Sequence, residues 1–357
     1  MARAPRRGKA KTRQPPFAVT HFFVPRPFFY LLFALLVTSV RAASPAAPQP
    51  QTAENTVAAE AKTRPTLTDG LILGLVEGVT EFLPVSSTGH LVIANHILAL
   101  DSAAPIGTDK HGQKITLKDA ADTYAVVIQA GAIAAVALLY WGQLAAMCAG
   151  LAGRDSAGLR LLRNLILACL PPVITALLFK KYIKAHLFSV HTVAWALILG
   201  AGIMLFTEYR RRRTRLDQSG ALPSQGAELA GADLSPLAAL LVGFGQCLAL
   251  WPGMSRSMTA MVSCYFVGLK PARAAEFSFL LGLPLLGAAA AKDALDGGTA
   301  MVAAFGWTNL TAGLVIAFLS AALAVKLFVG LLTRLGLVPF AIYRVILGIV
   351  LLGFFTT

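Results

Sequence analysis

Two polar stretches, EGVTEFLPVSSTGH (residues 77–90) and WPGMSRSM (residues 251–258), interrupt segments otherwise apolar enough for a membrane interior. An ionised side chain at the bilayer centre costs about 2.5–3.5 kcal/mol on insertion scales, so ionisable residues placed there are candidates for function. Two glutamates, a histidine, an arginine and a set of serines gather in these two segments. That concentration points to an intramembrane site for an anionic group.

The chain has 357 residues, 56% of them hydrophobic and 13% charged, a balance that excludes an ordinary soluble globule. Its net charge of +14 raises the question of nucleic acid, but the charge is clustered in the manner of a membrane protein. Basic residues crowd the first 41 positions (Arg3, Arg6, Arg7, Lys9, Lys11, Arg13, Arg26, Arg41) and the stretch from Arg210 to Arg215, as orientation in a bilayer requires. Cys148, Cys169, Cys247 and Cys264 show no metal or disulfide spacing.

The basic start, an apolar stretch to Val40 and the small residues after it resemble a secretory signal cleaved near Ala42 or Ala43, with an uncleaved anchor as the alternative. Residues 1–42 thus read as a signal-like segment, 43–65 as a flexible Ala/Pro-rich linker and 66–357 as the membrane domain. Apolar runs are expected at about 67–100, 124–141, 162–179, 190–206, 237–267, 277–291, 310–332 and 340–355. Pro84 with Gly89 breaks the first run and Pro252 with Gly253 the fifth. Broken backbone at membrane depth is tolerated where it lines a protein cavity, so both read as re-entrant helix-loop-helix hairpins.

Loop charges fit this plan. The 101–122 loop is nearly neutral and falls outside; Arg154, Arg160, Arg163, the 210–215 loop, Lys270, Arg273, Lys326 and Arg334 fall inside; Lys292, Asp293 and Asp296 fall outside. A turn at 180–184, placed outside, is the basic exception. Each half, about 66–208 and 236–357, is then one hairpin plus three transmembrane helices. Three crossings are odd, so the halves have opposite topology, an inverted repeat in an all-α polytopic membrane protein. Gly74/Gly243 and Glu77/Gln246 share one offset, and Pro84/Pro252 and Ser87/Ser255 share the next after a one-residue gap.

Glu77 and Glu81 stand four apart and share a helix face. Two carboxylates in a low dielectric repel, which a divalent cation (magnesium or calcium) bound by both would resolve; helix packing or capping is the plainer alternative. Ser86, Ser87 and Thr88 lie where a half-helix begins, so they cap it or bind phosphate beside its free N–H groups. His90, near carboxylates and hydroxyls, suits acid–base or nucleophilic work. Arg256, flanked by Ser255 and Ser257, suits phosphate oxygens, or a salt bridge to Glu77 or Glu81. His96 and Glu276 read as structural.

At these motifs the chain resembles the undecaprenyl-diphosphate phosphatase family, the bacitracin-resistance phosphatases. The first signature is carried by residues 77–90, the second by QCLALWPGMSRS (246–257), and EFSFLLGLP (276–284) and PFAIYR (339–344) also match family stretches. The resemblance runs from about Thr66 to the C-terminus. It implies a hydrolase that removes the terminal phosphate of undecaprenyl diphosphate, recycling the lipid carrier of peptidoglycan synthesis and conferring bacitracin resistance. It assigns the acidic pair to Glu77 and Glu81, the serines to Ser86 and Ser87, the histidine to His90 and the arginine to Arg256. Where the family has a threonine after SRS, this chain has Ala260, and the role is carried to Thr259.

The mechanism expected is attack by Ser87 on the terminal phosphorus with His90 handling the proton, a nucleophilic His90 or a metal-bound water remaining open. Arg256, Ser86, Thr88, Ser255, Ser257 and Thr259 would hold the diphosphate, and Glu77 with Glu81 a divalent ion. The expected partners are the polyprenyl diphosphate and membrane lipids, not nucleic acid, and the reading is compatible with a homodimer. The expected location is the bacterial inner (plasma) membrane with the site facing the periplasm or cell exterior. A transporter or flippase of a polyprenyl phosphate lipid is the rival, because inverted repeats with broken helices are also a transporter plan.

Overall fold

The structure is a computed structural model that describes residues 64–103, 105–108, 114–218 and 230–355. The signal-like segment and nearly all of the linker lie outside the described residues. Four described helices are long and apolar enough to cross a membrane, which makes this a multi-pass membrane protein.

The chain begins with a helix–break–helix unit, α1 (Leu67–Thr80) and α2 (Ser87–Ile97). A capping box closes the start of α1, where Thr66 and Asp69 exchange hydrogen bonds. A two-stranded hairpin, β1 (Pro105–Thr108) and β2 (Lys114–Thr116), leads into α3 (Leu117–Leu139). Then come α4 (Trp141–Leu151), α5 (Ser156–His186) and α6 (Val190–Gln218). The second helix–break–helix unit is α7 (Pro236–Gln246), a 3-10 turn (Cys247–Leu250) and α8 (Arg256–Phe266). It is followed by α9 (Pro271–Leu335) and α10 (Val338–Phe355). Gly306, at φ 77° and ψ 161°, divides α9 into two arms, a backbone geometry that glycine adopts without the steric cost a Cβ brings.

One constant offset relates the two broken units, and no gap is needed. It carries the N-caps Thr66 and Ser86 onto Ser235 and Ser255, and the ends of α2 onto those of α8. It also carries the positive-φ residues Ser86 and Ala99 onto Ser255 and Gly268. The pairings of Pro84 with Pro252 and of Ser87 with Ser255 are therefore corrected: Pro84 matches Gly253, and Ser87 matches Arg256. The prolines misled because either of two adjacent positions can break a helix.

Three expected loops are helical instead. Residues 180–184 continue α5, 210–215 continue α6, and 292–296 lie within α9. Lysine, arginine and aspartate are tolerated inside helices, and charges four apart pair along the surface, as Lys292 does with Asp296. The arm of α9 from Pro271 to Phe305 is about 50 Å long at 1.5 Å per residue, longer than the roughly 30 Å of hydrocarbon. Helix α4 was not expected as a separate element. The stretch from Asp101 to Asp122, read as one loop, holds the β-hairpin and the start of α3.

Close packing brings the broken units into the bundle. Gly74 and Gly78 of α1 sit so near Gly313 and Ala317 of α9 that a Cβ at either would lie under 3 Å from backbone, the small-residue contact by which membrane helices approach. Beneath the first break, Phe82 meets Phe279 edge-on at 5.6 Å. Phe279 meets Phe328 at 6.0 Å and Phe328 meets Phe340 at 5.1 Å. This chain of rings joins the break to α9 and α10.

Candidate active site

Ser87 is the first residue of α2, and its hydroxyl donates to Glu81 Oε2 at 2.6 Å. Glu81 is the C-cap of α1, so the break folds back far enough for a helix end to meet the next helix start. The other Glu81 oxygen accepts from Arg256 Nη2 at 3.3 Å, across the two units. Arg256 is the first residue of α8, the position equivalent to Ser87. A serine, a carboxylate and an arginine thus converge from two breaks. The side chains of Arg256 and Glu81 are 11% and 6% exposed, so their attraction is far less screened than that of a surface pair.

Three further contacts fix Arg256. Its Nη1 donates to the Ser278 carbonyl at 3.0 Å. Its guanidinium lies 5.2 Å from the centre of the Phe82 ring, within cation–π range. A Cβ on Gly282 would fall 2.6–3.0 Å from the guanidinium atoms, so glycine there leaves the room that the arginine occupies.

Glu77 is fully buried, and neither of its carboxylate oxygens has a hydrogen-bond partner. Gln129 is a neutral donor nearby, outside ordinary hydrogen-bond geometry, and Glu81 and Arg256 are its charged neighbours. A buried carboxylate with no close hydrogen bond, one helical turn from a second carboxylate, fits a hard divalent cation. Among the described residues no three His, Cys, Asp or Glu side chains gather at one point. The remaining ligands of such an ion would come from water and phosphate oxygens, as is usual for magnesium.

Ser86 adopts φ 72° and ψ 104°, and Ser255 at the equivalent position φ 70° and ψ 114°. Such conformations cost a non-glycine residue about 1–3 kcal/mol and concentrate at functional sites. Ser255 caps α8 by accepting from Met258 N at 3.3 Å, whereas Ser86 makes no side-chain cap to α2. The first N–H groups of α2 therefore lack that cap beside Ser87 and half-buried Thr88, a geometry that favours anions.

Other expected site residues are committed to the protein. Ser257 donates to the Leu83 carbonyl at 2.7 Å, tying the second break to the first, and lies 3.1 Å from Ser255 Oγ. Thr259 donates to the Arg256 carbonyl and accepts from Gln246, so it buttresses the arginine. His90 meets neither Ser87 nor Glu81: Nδ1 lies 2.7 Å from the Ser86 carbonyl and Nε2 2.7 Å from Tyr343 Oη. His96 pairs with Asp101, and Glu276 takes Arg273 and Gln143, as structural roles require.

Arg344, though fully buried, was not singled out in the sequence. It donates to the carbonyls of Ala196 and Leu197 in α6, and to those of Gly253 at 3.0 Å and Pro84 at 3.5 Å. Pro84 and Gly253 are equivalent positions in the two breaks. Tyr343 beside it stacks on His90 with 5.6 Å between ring centres. The stretches 276–284 and 339–344, noted for likeness alone, thus hold Arg256 and both breaks.

Residues 70–350 match the family described as bacitracin resistance protein BacA. The chain is 42% identical over 285 residues to an undecaprenyl-diphosphatase of Sorangium cellulosum, covering 80% of this chain and 85% of that one. It is 38% identical to an undecaprenyl-diphosphatase of Novosphingobium aromaticivorans, covering 81% and 97%. An undecaprenyl-diphosphatase of Deinococcus radiodurans is 37% identical, with 79% and 93% covered.

Proposed function

The chain belongs to the bacitracin resistance protein BacA family, and from that premise we propose that it is a membrane phosphatase acting on undecaprenyl diphosphate. It hydrolyses the diphosphate to undecaprenyl phosphate and inorganic phosphate, as the names of its relatives describe for them. That reaction returns the lipid carrier to peptidoglycan synthesis and underlies bacitracin resistance. The rival transporter reading is not favoured, since these relatives are named for hydrolysis.

One observation carries the mechanism: Glu81 accepts hydrogen bonds from Ser87 and from Arg256 at once. In this reading Arg256 and the first N–H groups of α2 bind the terminal phosphate, aided by Ser86, Thr88 and Ser255. Ser87 Oγ attacks the terminal phosphorus while its proton passes to Glu81, and the bond from phosphorus to the bridging oxygen breaks. Undecaprenyl phosphate leaves. Water then attacks the phosphoserine, phosphate departs, and the serine regains its proton. Arg256 opposes the charge on the transferring group, where preorganised donors lower the barrier most. Glu77 and Glu81 would hold a divalent ion, which when bound neutralises phosphate charge and polarises a phosphoryl oxygen.

The two broken units are read as re-entrant hairpins of an inverted repeat, supported by their shared offset and matching positive-φ residues. We read the protein as lying in the bacterial inner membrane with the site toward the periplasm, an orientation supported by the basic residues at the end of α6, which favour the cytoplasmic side. The test is phosphate release from a polyprenyl diphosphate by the purified protein, with and without a chelator. Release that fails in both arms rejects the reading, and release unaffected by the chelator rejects the metal.

A further inference from the structure

Tyr343 and His90 form a unit that is hydrogen-bonded to the site through the backbone of Ser86. A carbonyl oxygen only accepts, so the Nδ1 facing Ser86 O carries the hydrogen. In the neutral ring Nε2 is then the acceptor, and Tyr343 Oη donates to it. The two rings lie nearly parallel, 7° apart, and Tyr343 is 5% exposed, so the hydroxyl has a fixed direction. Both nitrogens are thereby occupied, and neither is spare for the Ser87 proton.

Ser86 is the residue that needs holding. It is buried at φ 72°, its own side chain makes no cap, and it immediately precedes Ser87. In the second unit the equivalent Ser255 does cap its helix, and the residue equivalent to His90 is Thr259, which turns to Arg256 and Gln246 instead. The unit that supplies the serine thus lacks the cap and has the histidine in its place.

We propose that Tyr343 is a positioning residue which, by fixing the His90 ring against the Ser86 carbonyl, holds the strained backbone that aims Ser87. This rests on Ser87 being the nucleophile, and it assigns His90 a mechanical task in place of proton transfer. Tyr343→Phe removes one hydroxyl and keeps the ring stack. Asparagine at position 90 can place an amide N–H where Nδ1 stands but does not reach Tyr343.

The experiment is a double-mutant cycle on full-length protein in detergent, measuring kcat and KM for a polyprenyl diphosphate. Tyr343→Phe is expected to lower kcat about five- to tenfold with KM within twofold. His90→Asn should keep at least tenfold more kcat than His90→Ala, and adding Tyr343→Phe to His90→Asn should change kcat by less than twofold. Equal loss in His90→Asn and His90→Ala would show a proton carrier or nucleophile and overturn the proposal. So would additive losses in the double variant, which mark Tyr343 as structural in its own right. An active wild type with an equally active Ser87→Ala variant would instead reject the nucleophile reading on which this rests.

Discussion

Replacing Gly282 by alanine should disable the site while leaving the fold intact. The new Cβ would lie 2.6 Å from Arg256 Nη1, 2.8 Å from Cζ and 3.0 Å from Nη2. Contacts this short force the guanidinium back by about half an ångström or more, since carbon contacts settle near 3.5–4.0 Å. The Nη2 bond to Glu81, already 3.3 Å long, then passes out of hydrogen-bond range. One hydrogen bond to a charged group is worth about 1.5–3 kcal/mol, which at about 1.4 kcal/mol per decade is a 10- to 150-fold fall in kcat/KM. The obstructing atoms belong to the end of a flexible side chain, and alanine gains up to about 1 kcal/mol over glycine in a helix interior. The thermal midpoint should therefore move by no more than a few degrees. Gly287→Ala, on the same helix and with no atom within 4 Å of its Cβ, is the control and should stay within about twofold of wild type. The assay is phosphate release across substrate concentration, alongside a thermal melt. A folded Gly282→Ala protein with wild-type kcat/KM would refute the claim that the position of Arg256 governs the reaction.

Ser87→Ala should lower kcat by about a thousandfold or more with KM changed only a few-fold, because a nucleophile has no substitute; substantial residual turnover would hand the attack to water. Glu77→Gln keeps the shape but removes a charge, so the magnesium or calcium concentration for half-maximal activity should rise about tenfold or more. An unchanged metal titration would remove Glu77 from the ion's ligands. Thr108→Cys and Arg213→Cys, each in a background lacking the four native cysteines, should be labelled from opposite sides of the membrane by an impermeant thiol reagent. Labelling of both from outside would sink the proposed topology.

The chemistry of this chain was legible wherever a costly residue had to be explained. Glu81, Ser87 and Arg256 drew attention because a charge or hydroxyl cluster in an apolar run demands a reason, and the three do converge. What stayed hidden was contact between distant segments. Nothing in PFAIYR alone says that Tyr343 meets His90 or that Arg344 gathers carbonyls from both breaks. Glycine at 282 likewise looks like any small residue of a membrane helix. Helix ends were misjudged for a different reason. Clusters of charge read as loops in the sequence, yet Lys292 and Asp296 pair along a helical turn, and the interruption of α9 is Gly306. The two prolines are not equivalent positions of the broken units, while the backbone conformation of Ser86 and Ser255 carries the correspondence.

Arg344 has a bearing on motion. A carrier that alternates its access swings one repeat against the other around the bound solute. Here a single guanidinium spans both breaks and α6, and Ser257 adds a second tie at Leu83. Swinging the breaks apart would strand an arginine and several carbonyls out of reach of water, at several kcal/mol for each group left unpaired. The two halves are therefore expected to behave as one stiff body at this joint, so that the lipid headgroup, rather than the protein, makes the journey.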